Sequence, residues 1–149
     1  MKIVIASDHA GFQLKQAILN LLIQENIPYD DLGVDAPRSV DYPDFASAVG
    51  EAVSKGTADA GILVCGTGLG MTITANKFKG VRAVTVGDVY SARMAKEHNN
   101  ANVIALGGRT LDPAKAARLV KAWLKAPFRG GRHGDRLSKI EEIEKKNFK

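Results

Sequence analysis

The strongest constraint on the fold is a regular alternation between short apolar segments and longer segments of helical periodicity. The short apolar segments predict strands at residues 2–6, 61–65, 81–86 and 103–106, and the segment 28–32, closed by Gly33, is a candidate for a short second strand. The longer segments predict helices at residues 11–25, 45–54, 71–78, 88–98 and 113–125, with a charged, amphipathic C-terminal helix opened by residues 130–136 and continuing over 137–148. Strands that alternate with helices indicate βαβ units, which build a parallel sheet with helices on both faces.

The sequence therefore predicts an α/β protein: a single three-layer α/β/α domain over residues 1–149, with a five-stranded parallel Rossmann-like sheet and a C-terminal helix. A length of 149 residues and an apolar content of 45% suit one domain with a real core. Ligands of open α/β sheets bind outside the carboxyl ends of the strands. We expect the functional site among residues 7–11, 65–70, 87–88 and 107–110.

The charge and the cysteine content restrict partners and location. A formal net charge of +5 is compatible with a phosphorylated metabolite, but the mixed aromatic and basic pattern of a nucleic-acid binder is missing. No apolar stretch approaches the roughly 18 residues of a membrane helix, and the apolar run 3–6 is too short for a signal peptide. One cysteine cannot form an intramolecular disulfide. We expect a soluble cytoplasmic protein without membrane or nucleic-acid partners.

The most informative motif is the Cys-Gly-Thr-Gly-Leu-Gly segment at residues 65–70. Cys65 ends an apolar strand, and the alternating glycines lead into a helix. Such glycines let the backbone approach a ligand, and their N–H groups form an anion-binding nest that also favours a thiolate. A base beside an oxyanion nest is suited to the enolisation of a sugar. The alternative is a buried structural cysteine before a tight turn.

Spacing excludes three other uses of this motif. Met71 stands where a dinucleotide-binding fingerprint needs its third glycine. It also stands where a cysteine phosphatase is expected to have an arginine. The Gly-Lys-Ser/Thr sequence of a phosphate-loop NTPase is absent.

Three further groups are candidates for ligand contact. Asp8 and His9 end the first predicted strand and suit sugar hydroxyls or a phosphate, although Asp8 alternatively caps the next helix. His98 ends a helix, where it is either an acid–base group or a histidine favoured by the helix dipole. Arg132 and Arg136 share one helix face and suit a phosphate, the alternative being a solvated basic surface.

Arg109, which follows two glycines at a strand end, is a third arginine candidate. No metal is expected, because the three histidines lie far apart in the sequence and one thiol cannot build a zinc cluster.

Taken together, these residues resemble the type B ribose-5-phosphate isomerases, a family that also includes galactose-6-phosphate and allose-6-phosphate isomerases. The resemblance runs in order along the chain through residues 7–12, 41–44, 65–70, 75–77, 98–99 and 130–133. It implies an aldose–ketose isomerase that interconverts ribose 5-phosphate and ribulose 5-phosphate through an enediolate, without a cofactor. It also implies homodimers, sometimes homotetramers, with sites shared between subunits.

The resemblance further implies residue roles. Cys65 would transfer the proton at the second carbon of the sugar, and His98 would be the acid that opens the furanose ring. Thr67 would join the glycine loop in holding the enediolate. The implied substrate-binding residues are Asp8, His9, Gly66, Gly68, Leu69, Gly70, Asn99, Arg109, Arg132 and Arg136.

The family pattern also limits the alternatives. One branch has a glutamate base where Met71 stands, so this sequence resembles the thiol branch. Asn100 and Thr74 depart from residues common in the family, and they leave the preferred sugar more open. The alternatives are an isomerase of allose 6-phosphate or galactose 6-phosphate, and a non-catalytic phosphate- or nucleotide-binding module.

Overall fold

Five parallel strands form one sheet in the computed structural model, which describes residues 1–148. The strands are β1 (Ile3–Ser7), β2 (Tyr29–Asp31), β3 (Ala60–Cys65), β4 (Ala83–Thr85) and β5 (Val103–Gly107). They lie in the order β2-β1-β3-β5-β4, and all four neighbouring pairs are parallel. The predicted five-stranded parallel α/β fold is confirmed.

Helices cover both faces of the sheet. They are α1 (Phe12–Gln24), α2 (Tyr42–Ser54), α3 (Leu69–Ala75), α4 (Val89–Glu97), α5 (Pro113–Lys125) and α6 (Arg132–Asn147). Buried residues of α1, α4 and α5 pack with Ile3 and Ile5 on one face. Residues of α2 and α3 pack with Val4 and Ala6 on the other. Successive residues of a strand point to opposite faces, so a strand buried on both faces is apolar throughout.

Some element boundaries differ from the predicted ones for identifiable reasons. Helix α2 begins at Tyr42 rather than at residue 45, because Pro43 is tolerated in a first helical turn, where its missing N–H is not needed. Strand β4 begins at Ala83 rather than at residue 81, because the Arg82 N–H donates to the Asn102 side chain at 2.7 Å instead of joining the sheet. Helix α3 begins at Leu69 rather than at residue 71.

Three neighbouring strands end at the same level of the sheet. Ser7 is in register with Val64, and Cys65 is in register with Gly107. The loops that follow β1, β3 and β5 therefore meet above β3. The chain moves to one side of β1 to form β2 and to the other side to form β3, so the strand order reverses there. Such a switch point opens a crevice at the carboxyl edge of an α/β sheet.

Among residues 1–148, no helix combines the length and apolarity needed to cross a membrane.

Candidate active site

A cavity of about 260 Å³ lies over the carboxyl ends of β1, β3 and β5. Its lining residues are Asp8, His9, Ala10, Tyr42, Cys65, Gly66, Thr67, Gly70 and Arg109. A groove of about 330 Å³ near the start of β2 is larger, but its lining contains no predicted site residue. Chemistry rather than size therefore identifies the smaller cavity as the candidate site.

Cys65 lies at the base of this cavity as the last residue of β3. Its side chain is largely buried, with 6% of the residue exposed, and its sulfur accepts a hydrogen bond of 3.0 Å from the Gly68 N–H. Gly68 has φ 83°, a left-handed conformation that turns this N–H back toward Sγ. The same turn opens α3, so the sulfur lies beside the first N–H groups of that helix.

The glycine-rich loop is held against the loop after β5. The Gly108 N–H donates to the Cys65 carbonyl at 2.7 Å, and the Arg109 N–H donates to the Gly66 carbonyl at 3.0 Å. A Cβ added at Gly66 would lie 3.5 Å from Nη1 of Arg109. The guanidinium therefore crosses over the glycine loop and brings a positive charge to the rim of the cavity.

Tyr42 lines the cavity but was not predicted as a site residue. It is the first residue of α2, and a Cβ added at Gly70 would lie 2.5 Å from Cζ of its ring. The close packing of α3 on this ring requires a residue without a side chain at position 70. The only signal in the sequence was the presence of Tyr42 in the segment 41–44, which forms part of the family resemblance.

Asp8 and His9 lie at the β1 side of the cavity. Asp8 is buried, and its Oδ1 accepts the Gly11 N–H at 3.0 Å, so the capping interaction considered for this residue does form. The side chain nonetheless lines the cavity. Nδ1 of His9 accepts the Val40 N–H at 3.3 Å, which ties the exposed imidazole to the loop before α2.

His98, Asn99, Arg132 and Arg136 do not line this cavity. Helix α4 starts after the carboxyl end of β4 and runs back across the sheet, so His98 and Asn99 precede the start of β5. Nine helical residues extend over about 13 Å. The structure thus places Cys65 at the carboxyl edge of the sheet and His98 at the amino edge of the same chain.

The second group of predicted residues gathers around His98. The His98 ring stacks on the His133 ring, with centroids 4.0 Å apart and planes inclined by 12°. His133 belongs to the first turn of α6, which also carries Arg132, and Arg136 follows one turn later. Burial lowers the pKa of His133, and the charges of His98, Arg132, Arg136 and Arg129 lower it further.

A buried carboxylate, that of Glu97, stabilises the arrangement of residues around His98. Glu97 accepts Nε of Arg129 at 3.0 Å and Nη2 of Arg93 at 3.3 Å, and its carbonyl accepts the Arg129 N–H at 3.1 Å. The hydrogen bond from Arg129, followed by that from Arg93, holds the pKa of Glu97 below its ordinary value, although burial opposes this. The contacts join the end of α4 to the segment before α6.

Within residues 1–148, no three His, Cys, Asp or Glu side chains lie close enough together to hold a metal ion.

The fold and the cavity define an α/β protein that presents a thiol, a glycine loop and an arginine to a small polar ligand. A family model described as Ribose/Galactose Isomerase matches residues 3–140. Ribose-5-phosphate isomerase B of Escherichia coli is 43% identical over 145 residues, which cover 97% of each chain.

Solved structures agree with this result. Ribose-5-phosphate isomerase B of Clostridium thermocellum superimposes with a TM-score of 0.96 at 51% identity, covering 98% of this chain and 99% of that one. Ribose-5-phosphate isomerase B of Mycoplasma genitalium, solved with bound ribulose 5-phosphate, superimposes with a TM-score of 0.94 at 42% identity, covering 98% of this chain and 97% of that one. The chain belongs to the ribose/galactose isomerase family, which confirms the resemblance found in the sequence.

Proposed function

We propose that this chain is an aldose–ketose isomerase that interconverts ribose 5-phosphate and ribulose 5-phosphate, with Cys65 as the base. Family membership supports the reaction class. The single observation that carries the role of Cys65 is the position of its sulfur in the cavity, 3.0 Å from the Gly68 N–H. A thiolate held there is adjacent to main-chain donors that suit a developing oxyanion.

The isomerisation balances without a cofactor. The Cys65 thiolate removes the proton from carbon 2 of the open-chain aldose, and the electron pair passes into the carbonyl at carbon 1. The loop N–H groups and the Thr67 hydroxyl stabilise the enediolate that results. The thiol then returns its proton to carbon 1, while the proton on oxygen 2 moves to oxygen 1 as the new carbonyl forms. Arg109 and His9 hold the substrate at the rim of the cavity.

The ring-opening acid comes from a second copy of the chain. His98, Asn99, Arg132 and Arg136 are on the opposite edge of the sheet from Cys65, so we infer a homodimer, or a tetramer built from it, in which the partner's His98 completes the cavity. That imidazole donates a proton to the ring oxygen as the bond between this oxygen and carbon 1 breaks, and the carbon 1 hydroxyl passes its proton to water as the carbonyl forms. The two arginines bind the phosphate.

Exposed apolar side chains support this assembly. Leu69 and Ile73 lie on α3 beside the cavity and are 58% and 63% exposed. Helix α6 buries Leu137 but exposes Ile140 and Ile143. Apolar residues that remain exposed next to a site are typical of protein–protein contacts. A second copy that covers α3 would bring its own residues to the rim of the cavity.

The remaining expectations belong to the same proposal. We propose that residues 1–149 act as one domain and that the isomerase works in the cytoplasm, where a reducing environment preserves the single thiol.

The decisive experiment measures ketose formation from ribose 5-phosphate in the presence of a chelator. The intact protein is compared with Cys65→Ala and with Cys65→Ser, which keeps the shape but has a far weaker acid. We expect both variants to fold and to lose at least about 10²-fold in kcat, the lower range for general base catalysis. Near-normal turnover by folded Cys65→Ala would remove Cys65 as the base.

Absence of turnover by the intact protein would reject ribose 5-phosphate as the substrate. Allose 6-phosphate and galactose 6-phosphate would then be tested in the same assay. Ligand binding without turnover on all three sugars would indicate a non-catalytic binding module.

A further inference from the structure

His133 is the closest aromatic neighbour that the structure gives to His98. The two rings are nearly parallel at a centroid separation of 4.0 Å, and they belong to different elements, the end of α4 and the first turn of α6. Only 8% of His133 is exposed, whereas His98 is half-buried and therefore accessible to a ligand. The stack thus has a buried member and a member that faces outward.

The charges around the stack are unequal. Positive groups face His133 from three directions: Arg132 and Arg136 on its own helix, Arg129 in the preceding segment, and His98 on α4. The Glu97 carboxylate, next to His98 in the chain, is already bound to Arg93 and Arg129. Two stacked imidazoles cannot both carry a charge at low cost, whereas a neutral aromatic face attracts a cation. The burial and the surrounding positive charges lower the pKa of His133 and therefore favour its neutral form.

We propose that His133 is a positioning residue for His98, fixing the plane of the acid imidazole by stacking a buried, neutral aromatic face against it. The inference rests on the proposed function, because it assigns His133 a role only through the ring-opening step of His98. It requires no contact between His133 and the substrate. The proposed role depends on the neutral aromatic face of His133 and does not depend on its ring nitrogens.

A matched pair of substitutions separates the aromatic face from the ring nitrogens. His133→Phe keeps a flat neutral face but has no nitrogen, and His133→Leu fills a similar volume without a face. In ribose 5-phosphate turnover we expect the Leu variant to lose about tenfold in kcat, a part of the 10²–10⁴-fold effect of a general acid, with KM nearly unchanged. We expect the Phe variant to remain within about threefold of the intact protein. If His133→Leu does not fold, His133→Ala replaces it.

A double-mutant cycle tests whether the effect passes through His98. In a His98→Asn background the Leu substitution should have almost no further effect on kcat, because the group that it positions is gone. Equal losses in both backgrounds would overturn the inference, since they indicate a general structural role. A KM increase in both Phe and Leu variants, with kcat unchanged, would also overturn it by making His133 a substrate ligand.

The failure of this inference can be distinguished from failure of the proposed function. An intact protein without turnover rejects the function itself. An active intact protein whose His133→Leu variant keeps its kcat rejects only the role of His133.

Discussion

At the scale of single residues, Lys15 is the least expected member of the core. The periodicity of α1 predicts contacts from Leu14, Ile18 and Leu22, but Lys15 is also completely buried. Its Nζ donates to Oδ1 of Asp31 at 2.7 Å and to the Val34 carbonyl at 2.6 Å. Lys15 belongs to α1, so its two hydrogen bonds connect this helix with the end of β2 and with the turn that follows β2. These contacts lie directly beside the β1 end of the cavity.

Replacing this amine should destabilise the fold. In Lys15→Met the Val34 carbonyl loses a buried donor, so we expect a loss of about 1–3 kcal/mol in the free energy of unfolding. Urea denaturation at pH 7 measures it. The control is Lys2→Met, because Lys2 pairs with Asp30 at the exposed surface and should cost about 0.5 kcal/mol or less. Equal costs for the two variants would contradict the prediction.

Residue positions near the strand ends were predictable, and contacts between distant elements were not. Cys65 ends a buried strand, and Asp8 and Arg109 follow two others. Parallel strands end at a common edge, so the sequence was sufficient to place these residues in one cavity. Tyr42 and His133 reach their partners through the packing of helices that are far apart in the chain. No local pattern encodes such a contact, and the same is true of the buried Lys15.

At the scale of elements, the junction between α4 and α6 depends on the ionised form of Glu97. Hydrogen bonds from Arg129 and Arg93 lower the pKa of this carboxylate below its ordinary value of 4.5. A carboxylate whose folded-state pKa is lowered contributes stability that is fully present above the unfolded-state pKa. That contribution is lost as the pH falls through the folded-state pKa.

We therefore expect Glu97→Gln to lower the urea midpoint at pH 7, with the difference from the intact protein shrinking below pH 4.5. Midpoints measured across a pH series test this. The control is Glu51→Gln, since Glu51 also has a lowered pKa, from its hydrogen bond with Lys55, but lies on an exposed helix face. Solvent screens that pair, so its loss should change the midpoint little at any pH. A difference at Glu97 that stays constant down to low pH would contradict the prediction.

The number and type of the elements were predictable because four of the five strands are short apolar runs between helical segments, while the polar strand β2 was marked by the Gly33 that closes its segment. The residues at which the elements begin depend on contacts and backbone conformations that the sequence pattern does not specify. The start of β4 is set by the Asn102 side chain, which lies beyond the next helix in the chain. The start of α3 at Leu69 is set by the left-handed conformation of Gly68. The sequence did not specify this conformation, because a run of alternating glycines is compatible with several turn geometries.

At the scale of the whole molecule, the predicted site residues form two groups at opposite edges of one sheet. Cys65 and Arg109 face the cavity, while His98 and Arg132 lie beside the start of β5. The resemblance in the sequence implies sites shared between subunits, but it does not say which residues come from the same chain. The direction of α4 supplies this information, because a helix that returns across a parallel sheet carries its last residues away from the carboxyl edge. In the proposed function, a complete site therefore needs two chains.

Mixing two inactive variants tests this shared site. Cys65→Ala and His98→Ala each damage both sites of their own homodimer, but a mixed dimer has one doubly damaged site and one intact site. Random pairing of equal amounts makes about half of the dimers mixed, so about a quarter of the intact activity should return. The variants are unfolded and refolded together, with each variant refolded alone as the control. If the site were formed within one chain, the mixture would show only the summed residual activities, since every chain would lack either the base or the acid.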